Sequence, residues 1–229
     1  MKNIAFIFAR GGSKGLPRKN IKLLAGKPLI QYSIESALQS PSISEVFVST
    51  EDKEIAAISS SLGAVVIDRP EKLSADHSPE WLAWRHAIDW VELNYGVFDR
   101  FISLPATSPL RSVEDIEAAI SQFSNTQSDI CISITPSSRN PFFNMVTVDS
   151  DGIAKRLNSS SENISRRQDA PAIYDVTTVV YVATPDFIKN NTGIFSGRVV
   201  TTEVPKYRAV DIDDIYDFKF AESLLKNYQ

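Results

Sequence analysis

Between residues 3 and 68 the chain alternates three short apolar runs (NIAFIFA, Glu45 to Ser49, AVVID) with two segments of helical periodicity, LIQYSIESALQ and EDKEIAAISSSLG. Few folds accept that alternation. Strands joined through a helix lie parallel, because a parallel pair needs a crossover of about a dozen residues or more. Strands covered by helices on both faces read as compact apolar runs, as these do. The pattern continues with a helix over about 79–93, a strand in DRFISLPATSPLR, a helix in SVEDIEAAISQF capped by Ser112 or Asp115, and a strand in SDICISITP. It predicts an α/β fold, with a parallel sheet between two helix layers over residues 1–135.

After residue 135 the character changes. FFNMVTVDSDGIAKRL holds two short β-like runs about a Ser-Asp-Gly turn, and SSSENISRRQ is polar and reads as mobile. AIYDVTTVVYVAT and VVTTEV read as strands, and DIDDIYDFKFAESLLKNY as a helix after an acidic strand end. The expected organisation is a core of residues 1–135 and 196–229, interrupted by a β-rich antiparallel excursion over 136–195.

Charge and composition narrow the function. The 24 Lys plus Arg against 28 Asp plus Glu leave a net charge of -4, which argues against a broad nucleic-acid-binding face. The N-terminal apolar run is too short to cross a membrane and reads as a first strand, so a cytoplasmic protein without nucleic-acid or membrane partners is expected. The single cysteine, Cys131, lies in an apolar alternation and reads as a buried thiol. The two histidines, His77 and His86, form no zinc set, and His86 within the Trp81, Trp84 and Trp90 helix reads as structural.

The chemistry-bearing feature follows the first strand: Arg10-Gly11-Gly12-Ser13-Lys14-Gly15-Leu16-Pro17-Arg18-Lys19-Asn20. In an open parallel sheet, ligands bind at the C-terminal ends of strands. Three glycines allow a tight loop with accessible backbone N–H groups, and four basic side chains beside it can hold a triphosphate and offset the charge of leaving pyrophosphate. The spacing matches neither GxxxxGK[ST] nor GxGxxG, so a kinase-type P-loop and a dinucleotide dehydrogenase are disfavoured.

Near the other end, Asp211 and Asp213 stand two apart on an extended segment, so their carboxylates share one face. Beside a triphosphate loop such a pair suits Mg²⁺, which takes hard oxygen ligands and completes its shell with waters and phosphates. An acidic cluster before a helix also complements the helix N-terminus. Thr107 and Ser108, in the loop LPATSPLR, offer hydroxyls to a nucleoside; Arg69, Ser74, Asp76 and Ser78 lie after the third strand at the same rim. Arg166, Arg167 and Gln168 can grip an anionic sugar.

The segments AFIFARGGSKGLPRKN, RPEKLSAD, LPATSPLR, RRQ and DIDDIYDFKFAE together resemble the acylneuraminate cytidylyltransferase family, in order and over nearly the whole chain. The resemblance implies a Rossmann-like three-layer core with a small dimerisation excursion, a homodimer, CTP and Mg²⁺ as reaction partners, and a nonulosonic acid as acceptor. It matches the family's phosphate-loop arginine to Arg10, its serine-lysine-glycine to Ser13, Lys14 and Gly15, and its lysine-asparagine to Lys19 and Asn20. The base-region arginine matches Arg69, the metal-binding aspartates match Asp211 and Asp213, and the sugar-side arginine-glutamine matches Arg167 and Gln168. Three departures stand out: Pro105 replaces a glutamine near the base, Asn140-Pro141-Phe142 lacks a sugar-side lysine, and Asp175-Val176-Thr177 replaces Arg-Pro-Asn. They place Asp175 and Thr177 in a rewritten sugar pocket. A nucleotidyltransferase for another base or a sugar phosphate, and a non-catalytic binding protein, are the alternatives.

Overall fold

A computed structural model describes residues 1–158 and 166–227, with Arg167 by its backbone alone. Of the polar stretch SSSENISRRQ, residues 159–165 lie outside the described residues. The elements are β1 (Asn3–Phe8), β2 (Leu23–Leu24), β3 (Lys27–Pro28), α1 (Leu29–Gln39), β4 (Glu45–Thr50), α2 (Lys53–Ser61), β5 (Val65–Asp68), α3 (Glu80–Tyr95), β6 (Arg100–Ser103), α4 (Val113–Ser124), β7 (Ile130–Pro136), β8 (Val146–Val148), β9 (Ala154–Arg156), β10 (Tyr174–Ala183), α5 (Pro185–Asn190), β11 (Val199–Glu203) and α6 (Ile215–Asn227). Seven strands form one sheet in the order β11-β7-β10-β6-β1-β4-β5.

The two-sided burial read from the sequence is what β1 does. Ile4 and Phe6 face one helix layer, where they meet Trp84, Ala87 and Ile88 of α3 and Phe187 of α5. Ala5 and Ile7 face the other, with Ile30 and Ile34 of α1, Ile55 of α2 and Ile116 and Ile120 of α4. The strand order reverses at β1, whose parallel neighbours are β4 and β6. That reversal opens a crevice at the C-terminal ends of the strands. Two of the four crossover helices, α2 and α4, are capped by side chains at this rim. Asp52 accepts from the N–H groups of Glu54 and Ile55 at the start of α2, and Ser112 and Asp115 form a capping box at α4.

The strands of residues 1–135 are parallel as expected, and the antiparallel pairing falls in the stretch read as the excursion. The sheet is mixed: β10 runs antiparallel between β6 and β7. Among the described residues between β7 and β10 there is no α-helix, and β10 enters in the opposite sense. Within the stretch 136–195, β10 belongs to the main sheet. Val179, Val180, Val182 and Ala183 are fully buried on both faces of β10, as in a central strand, and α5 packs on α3. Among the described residues, what stands outside the sheet lies between β7 and β10 and carries the antiparallel β8–β9 pair.

The readings of the tryptophan helix and of Cys131 hold. Trp81 donates to the carbonyls of Ile188 and Asn191 at 2.9 and 2.6 Å, so the tryptophan helix is a packing face for α5. Cys131 is buried and free, and burial pushes its thiol up to about 12. No described helix is long and apolar enough to cross a membrane.

Candidate active site

Three loops meet at the crevice. The loop after β1 is anchored by Leu16, which is buried with Val210, Ile212 and Phe218 in a third apolar cluster against α6. In Val210-Asp211-Ile212-Asp213 the two apolar side chains point into that cluster. The aspartates alternate with them, although the segment is irregular backbone and not the end of a strand. The N–H of Ile212 donates to the carbonyl of Thr107 at 2.9 Å, tying the aspartate segment to the loop after β6. Lys19 donates to the carbonyl of Ile212 and lies 3.4 Å from the Asp213 carboxylate. Gly15 abuts the same segment: a Cβ there would sit 2.4 Å from the Asp213 carbonyl oxygen, so the approach requires glycine. Residues almost 200 positions apart are thereby held as one rim.

The basic loop is charge-compensated by carboxylates. Arg10 and Lys14 both pair with Asp76, at 2.9 and 2.6 Å. Lys14 first, then Arg10, holds that carboxyl below its ordinary range. Arg18, in the left-handed region at φ 56°, reaches Asp52 and Glu54. Glu51 accepts from the Gly11 N–H at 2.7 Å, from Ser74 Oγ at 2.6 Å and from Arg69 at 2.8 Å. Burial pushes the Glu51 carboxyl up, but those three donors outweigh it and its pKa is lowered. The expectation of free backbone donors therefore fails at Gly11, whose N–H is already committed. Gly12 and Ser13 remain accessible at the loop tip. Exposed pairs such as Arg10–Asp76 contribute little stability and exchange readily for phosphate oxygens.

Asp211 is the anomalous acid. Burial raises its pKa above the ordinary value, the Thr107 hydroxyl pulls it partly back, and the like charge of Asp213 pushes it up again. Its Oδ1 is buried without a hydrogen-bond partner. A desolvated, unpartnered carboxylate oxygen beside a second carboxylate fits a hard cation. Among the described residues no group of three or more metal-binding side chains exists, so substrate oxygens and water would complete any shell here.

The remaining predicted residues divide. Arg69, Ser78 and Arg10 line a cleft of about 290 Å³ together with Glu80. Asp175, Thr177 and Asp211 line a second cleft, of about 630 Å³, with Lys206 and Phe220. Asn20 is buried and donates to the Arg10 carbonyl at 3.0 Å, so it shapes the loop and does not face the cleft. Ser108 is buried, and its hydroxyl shares a hydrogen bond with Thr178 Oγ1 of β10 at 2.7 Å. Thr177 likewise donates to Ser133 Oγ at 2.7 Å. Gln168 is exposed on a 3-10 turn at Arg167–Asp169 and does not line either cleft.

Sequence reasoning missed Arg111 and Lys206. Arg111 is buried and donates to Pro105 O at 2.8 Å, Ser33 Oγ at 2.9 Å and the Val179 carbonyl. Burial pulls its pKa down to about 9. It clamps the loop after β6 to α1 and β10, a role that the motif LPATSPLR contained but its spacing did not reveal.

A cytidylyltransferase family model matches residues 4–227. The chain is 32% identical to a pseudaminic acid cytidylyltransferase of Campylobacter jejuni over 99% of its length and 97% of the relative's. It is 33% identical to a CMP-N,N'-diacetyllegionaminic acid synthase of the same species, over 96% of the chain and 93% of the relative. The structure of a CMP:2-keto-3-deoxy-manno-octonic acid synthetase complexed with CTP superposes with a TM-score of 0.75 at 19% identity, covering all of both chains, and shares the fold. By a match that spans nearly its whole length and by relatives above 30% identity, this chain belongs to the cytidylyltransferase family.

Proposed function

We propose that the protein transfers the cytidylyl group of CTP to the anomeric hydroxyl of a nonulosonic acid, releasing pyrophosphate. The observation that carries the proposal is the convergence of the basic glycine loop and the Asp211–Asp213 segment, with Arg10 lining one cleft and Asp211 the other. One cleft suits the nucleotide and the other the acceptor, with the reacting phosphorus between them. The pseudaminic and legionaminic acid relatives support a sialic-acid-like acceptor.

In this reading Arg10, Lys14 and Lys19 take the triphosphate as Asp76 and Asp213 release them, with backbone donors from Gly12 and Ser13. Arg69 and Ser78 border the nucleoside in the smaller cleft. Asp211 and Asp213 would hold Mg²⁺, which would supply charge neutralisation and acidify a nearby hydroxyl. Catalysis is then mainly positioning plus electrostatic stabilisation of a group transfer.

Pyrophosphate release with Mg²⁺ across four nucleoside triphosphates, a panel of nonulosonic acids and a panel of sugar phosphates tests the reading. Release is expected only with CTP and a nonulosonic acid. Release with another base or a sugar phosphate would assign the departures at Pro105 and Asp175 to a different substrate pair, and no release from any pair would leave a binding protein.

A homodimer belongs to the same proposal. Val146, Val148, Ile153 and Leu157 on and beside β8–β9 are all more than half exposed. A two-stranded hairpin with that much open apolar surface calls for a partner, and Arg167 and Gln168 on the adjoining segment would serve the partner's sugar cleft. Light scattering is expected to give twice the 25.4 kDa chain mass; a single-chain mass would remove this part.

A further inference from the structure

The larger cleft presents an electrostatic problem for an acidic acceptor. Asp175, Asp211 and Asp217 all line it. A carboxylate entering among three carboxylates needs a cation, and among the described lining residues Lys206 is the one base. The nearby arginines are committed elsewhere: Arg208 is paired bidentately with Asp115 at 2.8 and 2.9 Å, and Arg111 is buried beneath the loop on backbone carbonyls.

Lys206 differs from the other cations of the site. Arg10, Lys14, Arg18, Lys19 and Arg69 each have a carboxylate within ion-pair distance. Lys206 has none among the described residues; its exposed side chain meets only the hydroxyl of Ser138. Its backbone is nevertheless held. The Val204 N–H donates to Ile134 O at 2.8 Å, the Arg208 N–H donates to Pro205 O at 2.9 Å, and the Arg208–Asp115 pair pins the turn to α4. A cation with no charge partner, on a fixed turn at the mouth of an acid-lined cleft, is placed to receive an anion.

We propose that Lys206, through its ammonium group, binds the carboxylate of the acidic sugar and so sets acceptor specificity; this rests on the cytidylyltransferase reading above. In a 2-keto acid sugar the carboxylate is attached to the anomeric carbon. Gripping it therefore orients the hydroxyl that attacks the nucleotide.

The test is steady-state kinetics of Lys206→Met and Lys206→Arg with CTP and the nonulosonic acid that the parent turns over, alongside the methyl ester of that acid. Lys206→Met is expected to raise the KM for the acid about 10- to 100-fold, the loss of one charge-assisted hydrogen bond, and to leave the KM for CTP within about twofold. It should also abolish the parent's preference for acid over ester, and Lys206→Arg should restore much of it. An unchanged acid KM in Lys206→Met, with parent-like thermal unfolding, would overturn the proposal. So would an equal rise in the KM for both substrates. A parent that turns over no acidic sugar would remove the functional reading itself, a result visible before any variant is made.

Discussion

Asp211→Asn is expected to lower the rate of pyrophosphate release by about 10²–10³-fold or more, the scale on which one preorganised electrostatic contact acts on a transition state. The same substitution is expected to stabilise the ligand-free protein. Asp211 has its pKa raised above the ordinary 3.8, chiefly by burial. In the fold its ionised form is therefore the disfavoured one. The penalty is absent below the ordinary value, grows as pH rises toward the folded value, and is complete above it. An amide does not ionise, so the variant's gain in melting temperature should appear at neutral pH and vanish in acid. Mg²⁺ should raise the parent's unfolding midpoint and leave the variant's nearly unmoved. Parent-like activity in the variant would take Asp211 out of the machinery, and a midpoint gain that persists at low pH would refute the burial argument. A residue that costs stability and supplies function is a common mark of a site.

The second large effect concerns stability. Arg208 and Asp115 form a two-bond ion pair in which the Asp115 side chain is 4% exposed and that of Arg208 23%. Arg208→Met leaves a buried carboxylate with only its capping contact to the Ser112 N–H at 3.0 Å. Breaking a buried pair by removing one partner costs about 3–5 kcal/mol, and the partial exposure of Arg208 argues for about 3. That corresponds to a fall in Tm of roughly 6–12 °C for a domain of this size. Adding Asp115→Asn in the same chain should recover part of the loss, because the stranded charge goes with it. The pair also fixes the turn that carries Lys206, so Arg208→Met should weaken binding of the acidic sugar more than of CTP. Urea unfolding checks the first claim; an unchanged midpoint would mean that solvent reaches Asp115 without rearrangement.

Much of the architecture was legible because local rules and global packing agree in the first half of the chain. β1, β4 and β5 alternate with α1 and α2 as the apolar runs and helical periods predict, and the cap at Ser112 is where the pattern places it. β10 was read as a strand, but its place was not. An apolar run of that length is consistent with a central or a peripheral position, and only pairing with both β6 and β7 selects the first.

The site divides in the same way. Residue types and chain order by themselves determined the basic glycine loop and the alternating aspartates, because positive charge, open backbone and paired carboxylates are properties of composition and short-range spacing; the reaction class followed from the family resemblance of those motifs. Tertiary structure decided which of those groups are available. It committed the Gly11 N–H to Glu51, turned Ser108 inward to Thr178, set Asn20 under the loop, and left Lys206 with no carboxylate partner among the described residues, beside an acidic cleft. The partners of Gly11 and Ser108 lie 40 and 70 residues away along the chain. Hydrogen bonding and desolvation act over a few ångströms of space, a distance that position along the chain does not encode.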